Sequence, residues 1–199
     1  MFTLSDRLEE DIEIEGKYYP INLFFDVVLR FFDLMDDENF FDSDKIEIAF
    51  EMLVGTEKDF EFETKYKAVQ AIVTSLIIGV ENKQKKSSGE SSDKKIYYDL
   101  KQDAEYIYAS FMQEYGIDLI DQQGSLRWEK FKALLSGMRD TTKFKEIVGI
   151  RAAKLPTGKG TEEERKRLKE LKEMYALNKD QKSREEELDY MFNKLAGGN

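Results

Sequence analysis

The sequence predicts a mainly α-helical fold with a short N-terminal β-hairpin and a mobile loop in the middle. Three observations carry this. Only 2 prolines interrupt 199 residues. Apolar residues recur every three or four positions through most of the chain, the spacing of a one-sided helix. Period-two alternation appears clearly once, at Ile12-Glu13-Ile14-Glu15, before Gly16-Lys17 and Tyr18 to Ile21. That pattern reads as a hairpin, with Pro20 restricted to an edge or end. Two strands alone are marginal, so the hairpin must lean on helices.

The helices follow in order. Asn22 is a candidate N-cap for a helix bearing Phe24, Val27, Val28, Phe31, Leu34 and Met35, with Asp26, Arg30 and Asp33 as a narrow polar stripe. A second helix starts near Asp42 or Ser43, carries Ile46, Ala49, Phe50 and Leu53, and ends at Gly55. A third runs from about Thr64 to Val80 with Tyr66, Val69, Val73, Leu76, Ile77 and Val80 on one face. Asn82 to Lys95 contains no apolar residue, so it cannot offset its ordering entropy and reads as a loop. Asp99 and Gln102 have capping-box spacing ahead of Leu100, Ala104, Ile107, Tyr108, Phe111 and Tyr115, and Gly116 stops that helix. Ser125 is a candidate cap for the helix of Leu126, Trp128, Phe131, Leu134, Leu135 and Met138. A short helix covers about Thr142 to Ala152, with Phe144, Ile147, Val148 and Arg151 on one side. Thr161 with Glu164, and Ser183 with Glu186, have capping-box spacing for two charged final helices. Their stripes are thin: Leu168, Leu171 and Tyr175, then Leu188, Met191, Phe192 and Leu195. The organisation expected is an acidic hairpin-plus-helices part (1–81), a flexible loop (82–95), a second helical part (96–153) and charged C-terminal helices (154–199), together one domain.

Composition narrows the function. The chain has no cysteine and no histidine. Disulfides, thiolate metal sites and thiol nucleophiles are excluded, as are His-dependent triads and His-ligated metals. Net charge is −10, and residues 1–81 hold 20 acidic against 7 basic side chains. That part repels phosphate backbones and favours a basic partner, although surface acid also serves solubility alone. The acidic start, with Asp6, Glu9, Glu10 and Asp11 beside Arg7, lacks the pattern of a secretory leader. The most apolar run, Ala71 to Val80, is far short of the roughly 20 residues that cross a bilayer. A cytoplasmic, membrane-free protein is expected.

Motifs for chemistry fail on inspection. Gly158-Lys159 lacks the earlier glycine and following Ser/Thr of a phosphate loop. Asp42-Ser43-Asp44 has Ile46 and Glu47 where a calcium loop needs a ligand and a glycine. No carboxylate pair stands out for acid–base work. A basic set around Trp128 and Phe131 (Lys130, Lys132, Arg139, Lys143, Lys145 and Arg151) is interrupted by Glu129, Asp140 and Glu146, and reads as solvated helix surface. No enzyme, cofactor, metal or nucleic-acid ligand is expected.

Several segments, taken in order, resemble the "gene product fifteen" family of tailed phages and prophages of Gram-positive bacteria. They are Ser5–Leu8, Ile14–Asn22, Asp103–Phe111, Tyr115–Leu119, Leu126–Met138, Thr142–Phe144 and Ile150–Arg151. Glu9 and Arg127 depart from it, standing where a proline and a histidine are expected. The resemblance links the chain to the tail gene module, near the tape-measure gene. It implies a tail assembly chaperone in the host bacterial cytoplasm, binding the tape-measure protein, with the tail-tube protein and a second copy of the chain as further candidate partners. It supplies no catalytic residues. The alternatives are a structural tail or connector component of the virion, and an acidic nucleic-acid mimic that inhibits a host protein. The residues expected to meet a partner are Trp128, Phe131, Leu188, Met191 and Phe192, with core packing as their competing role.

Overall fold

The N-terminal alternation folds as the expected hairpin. In the computed structural model, which describes residues 4–5, 7–55, 59–79, 97–178, 188, 191–192 and 194–196, β1 (Asp11–Ile14) pairs antiparallel with β2 (Lys17–Pro20). The register runs from Asp11 opposite Pro20 to Ile14 opposite Lys17. Glu15 and Gly16 form the turn with φ of 50° and 75°, the doubly left-handed twist of a two-residue hairpin loop. Pro20 sits at the terminal pair, where its missing donor does least harm. Ile14 is buried, and β1 rests on a helix, which is what a two-stranded ribbon requires.

The chain forms two compact units. Unit 1 comprises the described residues of Met1–Ser92, Gln123–Lys132 and Lys182–Asn199, and unit 2 those of Asp93–Gln122 and Ala133–Gln181. In unit 1, α1 (Phe25–Asp36) packs on α2 (Asp42–Leu53), and α2 on α3 (Phe62–Ile72). The stripe expected on α2 is buried as a set: Ile46, Ala49, Phe50 and Leu53. On α1 the buried face is Phe25, Val27, Val28, Phe31 and Phe32, shifted from the one predicted because Phe24 and Leu34 remain half-buried. A fully buried phenylalanine contributes about 1.5–3 kcal/mol, so these rings anchor the unit.

The cap on α1 differs from expectation. Asn22 does not cap it; Phe24 occupies the N-cap without a side-chain bond, and the Asn22 Oδ1 reaches the Phe24 amide at only 3.5 Å. The open Phe25 amide instead donates to the Leu126 carbonyl at 2.9 Å. At the other end, the Lys45 ammonium donates to the Met35 carbonyl at 2.5 Å, placing a cation at the negative pole of α1.

The third helix is not uniform. After α3 it continues as a π-helical stretch, Val73–Gly79. The Thr74 hydroxyl donates to the Gln70 carbonyl at 2.8 Å, taking the acceptor that an α-helical amide at 74 would use. Val69 of α3 and Val73 and Ile77 of the π-helical stretch are buried, while Leu76, expected with them, is half-buried. Val80 and the predicted loop at 82–95 lie outside the described residues.

Unit 2 contains α4 (Ala104–Tyr115), the later part of α5 (Trp128–Gly137), α6 (Lys143–Ala152) and α7 (Glu162–Met174). α6 packs on both α4 and α7. Gly116, at φ 64°, stops α4 as predicted; its amide bonds Met112 and the Ile117 amide returns to Phe111. Two predicted capping boxes do not form. The Asp99 carboxylate caps the amides of Lys101 and Gln102, but this is a turn before the helix, and the Gln102 amide group bonds the Ala176 carbonyl instead. The Thr161 hydroxyl turns back to the Gly158 carbonyl. The Ser183–Glu186 pair lies outside the described residues. α7 has no fully buried residue; Leu168, Leu171 and Tyr175 are half-buried, as thin stripes imply.

The expected segmentation also changes. Gln123–Lys132, assigned from sequence to the second helical part, returns to unit 1. Residues 154–199 are divided, α7 belonging to unit 2 and the described C-terminal residues to unit 1. Ser125 is not a helix cap: Phe24 and Arg127 form an antiparallel bridge, and the Trp128 amide donates to the Leu23 carbonyl at 2.8 Å. Long-range backbone pairing has replaced local capping.

Unit 2 is organised by a buried ion pair. Arg151 meets Asp103 in a two-pronged contact of 2.6 and 2.7 Å, with Arg151 side-chain exposure at 6% and Asp103 at 0%. The guanidinium also bonds the Tyr97 and Tyr175 carbonyls, and Asp103 accepts the Asp99 amide. A buried charge with its remaining donors satisfied is stable, whereas one stripped of its partner is costly. Asp103→Leu or Arg151→Met alone should destabilise unit 2 by about 3–5 kcal/mol, and the two changes together should recover most of that loss. Chemical denaturation of the four chains of this cycle measures both outcomes.

Candidate interaction site

All five residues expected at a partner surface are buried in unit 1, in two groups. The first is an aromatic stack on the return segment. Trp128 and Phe131 lie nearly parallel at 5.6 Å between ring centres, Phe131 stacks on Phe25 at 5.1 Å, and Phe32 meets Trp128 edge-on at 5.8 Å. Offset and edge-on rings add to the burial energy of each.

One polar atom fixes this stack. The Ile77 carbonyl lies in the π-helical stretch. It accepts the Trp128 indole N–H at 3.0 Å and the Lys132 ammonium at 2.8 Å. Lys132 also sits 5.5 Å from the centre of the Trp128 ring, within cation–π range. Burial pushes the Lys132 ammonium below its ordinary value, against the opposing pull of Glu129. The folded state therefore holds a charge at neutral pH that it would shed more readily than the unfolded chain.

The second group is the C-terminal segment. Leu188, Met191 and Phe192 are helical and buried. The Tyr66 hydroxyl of α3 donates to the Phe192 carbonyl at 2.8 Å, and the two rings meet edge-on at 5.8 Å. Burial, with Glu63 nearby, raises the Tyr66 phenol above its ordinary value. Lys194 reaches Asp42 at the start of α2, at 2.6 Å.

What faces solvent was not selected from the sequence. Phe41 is 80% exposed and Phe40 42%, at the turn between α1 and α2. Asp36, Glu38 and Asp44 are exposed around them in sequence. The signal was available: Phe40-Phe41 falls between acidic runs and outside both helical stripes. Glu15, Glu47, Asp59 and Glu61 line an open depression with Phe60, Phe62 and Lys65. Hydrogen bonds to Glu47 at 2.6 Å and to Asp59 at 3.0 Å raise the Lys65 ammonium above its ordinary value.

The basic set weighed for nucleic acid is largely committed to internal partners. Arg139 bonds Glu114, Lys143 bonds Glu146 and Tyr175, and Arg151 is buried on Asp103. Arg127 pairs with Glu129 and donates to the Glu9 carbonyl at 2.7 Å. Among the described residues no group of three or more acidic side chains is arranged to hold a metal ion, and no helix is long and apolar enough to cross a membrane.

These features define a mainly α-helical protein whose Trp128, Phe131 and Phe192 rings are used in packing and whose N-terminal acidity faces outward. The chain belongs to the Bacteriophage Gp15 protein family, whose model matches residues 4–177. It is thus a bacteriophage protein. No curated protein and no solved structure matches it.

Two outcomes follow from the geometry. Trp128→Phe keeps the ring stack but removes one donor to Ile77, and should cost about 1–2 kcal/mol. Lys132→Met removes a half-buried charge while Trp128 still satisfies the carbonyl, and should stay within about 1 kcal/mol of the parent. Urea unfolding distinguishes the two. The Tyr66 shift sets a pH dependence. Its contribution is complete below the ordinary phenol value of about 10 and is lost as pH rises through the raised folded value. The melting temperature should fall in that alkaline window, and Tyr66→Phe should lessen the fall.

Proposed function

We propose that this chain is a non-enzymatic tail assembly chaperone, which binds the phage tape-measure protein in the host cytoplasm while the tail is built. Membership of the Bacteriophage Gp15 protein family over residues 4–177 is the observation that carries this reading. The charge distribution supports it. A long helical partner with bare apolar stripes aggregates, and an acidic binder keeps such a complex dispersed by net charge. The 20 acidic side chains of residues 1–81 supply that charge. The exposed Phe40 and Phe41, set among carboxylates, supply apolar contact beside it.

Such a binder must also leave when tail-tube subunits arrive. Small apolar contacts combined with salt-screened charge give affinities that a competing assembly can overcome. The test is co-expression of the tape-measure protein with and without this chain. A higher soluble yield and a co-purifying complex are expected, together with absence of the chain from purified virions by mass spectrometry. Recovery at fixed copy number in virions would instead make it a structural tail component, and no gain in solubility with no complex would remove the chaperone reading.

A further inference from the structure

The solvent side of α2 carries a pattern that packing does not explain. Ile46, Ala49, Phe50 and Leu53 are buried on its core side. On the other side Asp44, Glu47 and Glu51 follow at intervals of three and four residues, which places them in one line along the helix. Asp44 and Glu51 are exposed and Glu47 is half-buried. Two apolar residues stand in the same line, seven positions apart: Phe41, 80% exposed at the N-cap, and Ile48, half-buried between the carboxylates. That spacing is two helical turns, about 10 Å. Lys45, the one cation of α2, is buried and bonds the Met35 carbonyl, so it leaves the line uncompensated.

At Glu47 the line opens into the depression, where Glu15, Asp59 and Glu61 join it. Lys65 is the one cation among the described residues lining that depression, and Glu47 and Asp59 already hold it at 2.6 and 3.0 Å. Glu47 and Glu51 are four residues apart, and like charges at that spacing weaken a helix. An added cation facing them removes the repulsion.

We propose that this outer face of α2 is a docking surface for a basic amphipathic helix of another protein. Charge and spacing choose the occupant. The free charge along the face has one sign, so the complementary surface is cationic. The period is helical, so a second helix laid alongside at about 8–10 Å between axes keeps lysine or arginine opposite each carboxylate. Two of its apolar residues, seven apart, then cover Phe41 and Ile48. That the tape-measure protein bears this helix rests on the chaperone reading; the face itself is tested without it.

The test uses the full chain and a fluorescent helical peptide of about 18 residues, with leucines seven apart and lysines three and four positions from each. Asp44→Lys with Glu51→Lys should weaken binding about tenfold or more at low salt. Asp121→Lys with Asp140→Lys makes the same change of net charge at exposed positions of unit 2, and should stay within about twofold of the parent. Phe41→Ser should weaken binding about threefold, and that loss should persist at roughly half-molar salt, where the charges are screened. All five positions are exposed, so native circular dichroism is expected throughout. A second measurement reads contact directly. The chain has no cysteine, so Glu51→Cys and Asp140→Cys can each carry one environment-sensitive dye, and only the dye at 51 should respond to the peptide.

Equal weakening by the two charge-reversal pairs, equal response of the two dyes, or no peptide binding by the parent chain would overturn the face. Light scattering that shows a parent dimer dissociated by Asp44→Lys with Glu51→Lys would give the face to a second copy and overturn the partner assignment. A tape-measure complex untouched by that pair would keep the chaperone reading and overturn this face as its contact. Peptide binding as expected with no tape-measure complex would keep the face and remove the chaperone reading alone.

Discussion

The carbonyl of Ile77 is the atom on which unit 1 depends. It accepts two donors, the Trp128 indole and the Lys132 ammonium, both from a segment that re-enters the unit after the chain has passed through unit 2. The carbonyl lies in the π-helical stretch Val73–Gly79. Burying it unsatisfied would cost on the order of 1–3 kcal/mol. Supplying the donors brings Trp128 and Phe131 onto Phe25 and Phe32, and the backbone of residues 126–128 onto Leu23 and Phe25. One polar requirement thereby fixes an aromatic core and closes the start of α1.

Unit 2 solves the same problem differently. Its central contact is an ion pair, Arg151 with Asp103, and the donors left over are consumed by backbone carbonyls of residues 97 and 175. Such a network holds the segments before α4 and after α7 to α6 without a large apolar stripe, which explains how a helix as charged as α7 stays packed. Phe144 and Ile147 provide the small apolar centre beside it, and the Ser110 hydroxyl receives the amide of Phe144.

For function, the placement of apolar and acidic groups matters more than their number. The aromatic residues that stood out in the sequence are interior, while Phe40 and Phe41 lie at a turn amid carboxylates. Leu188, Met191 and Phe192 are interior as well, with Phe192 held by Tyr66 of α3.

The sequence by itself determined the helical class, the hairpin (its turn falling at Glu15-Gly16, one residue before the Gly16-Lys17 expected), the buried stripe of α2, the Gly116 stop and the family. Each is a local property: period, a turn that needs positive φ, or a stripe repeated every three or four residues. It also identified Trp128, Phe131, Leu188, Met191 and Phe192 as strongly apolar positions, but periodicity cannot tell a residue that packs inward from one that waits for a partner. Tertiary structure alone decided that all five are interior. It replaced the Asn22 and Ser125 caps with backbone bonds from residues about a hundred positions away, and moved Gln123–Lys132 into unit 1. It also turned Arg151 from a candidate surface charge into a buried one. Those choices depend on which distant donor meets which distant acceptor, and no local pattern of residues encodes that pairing.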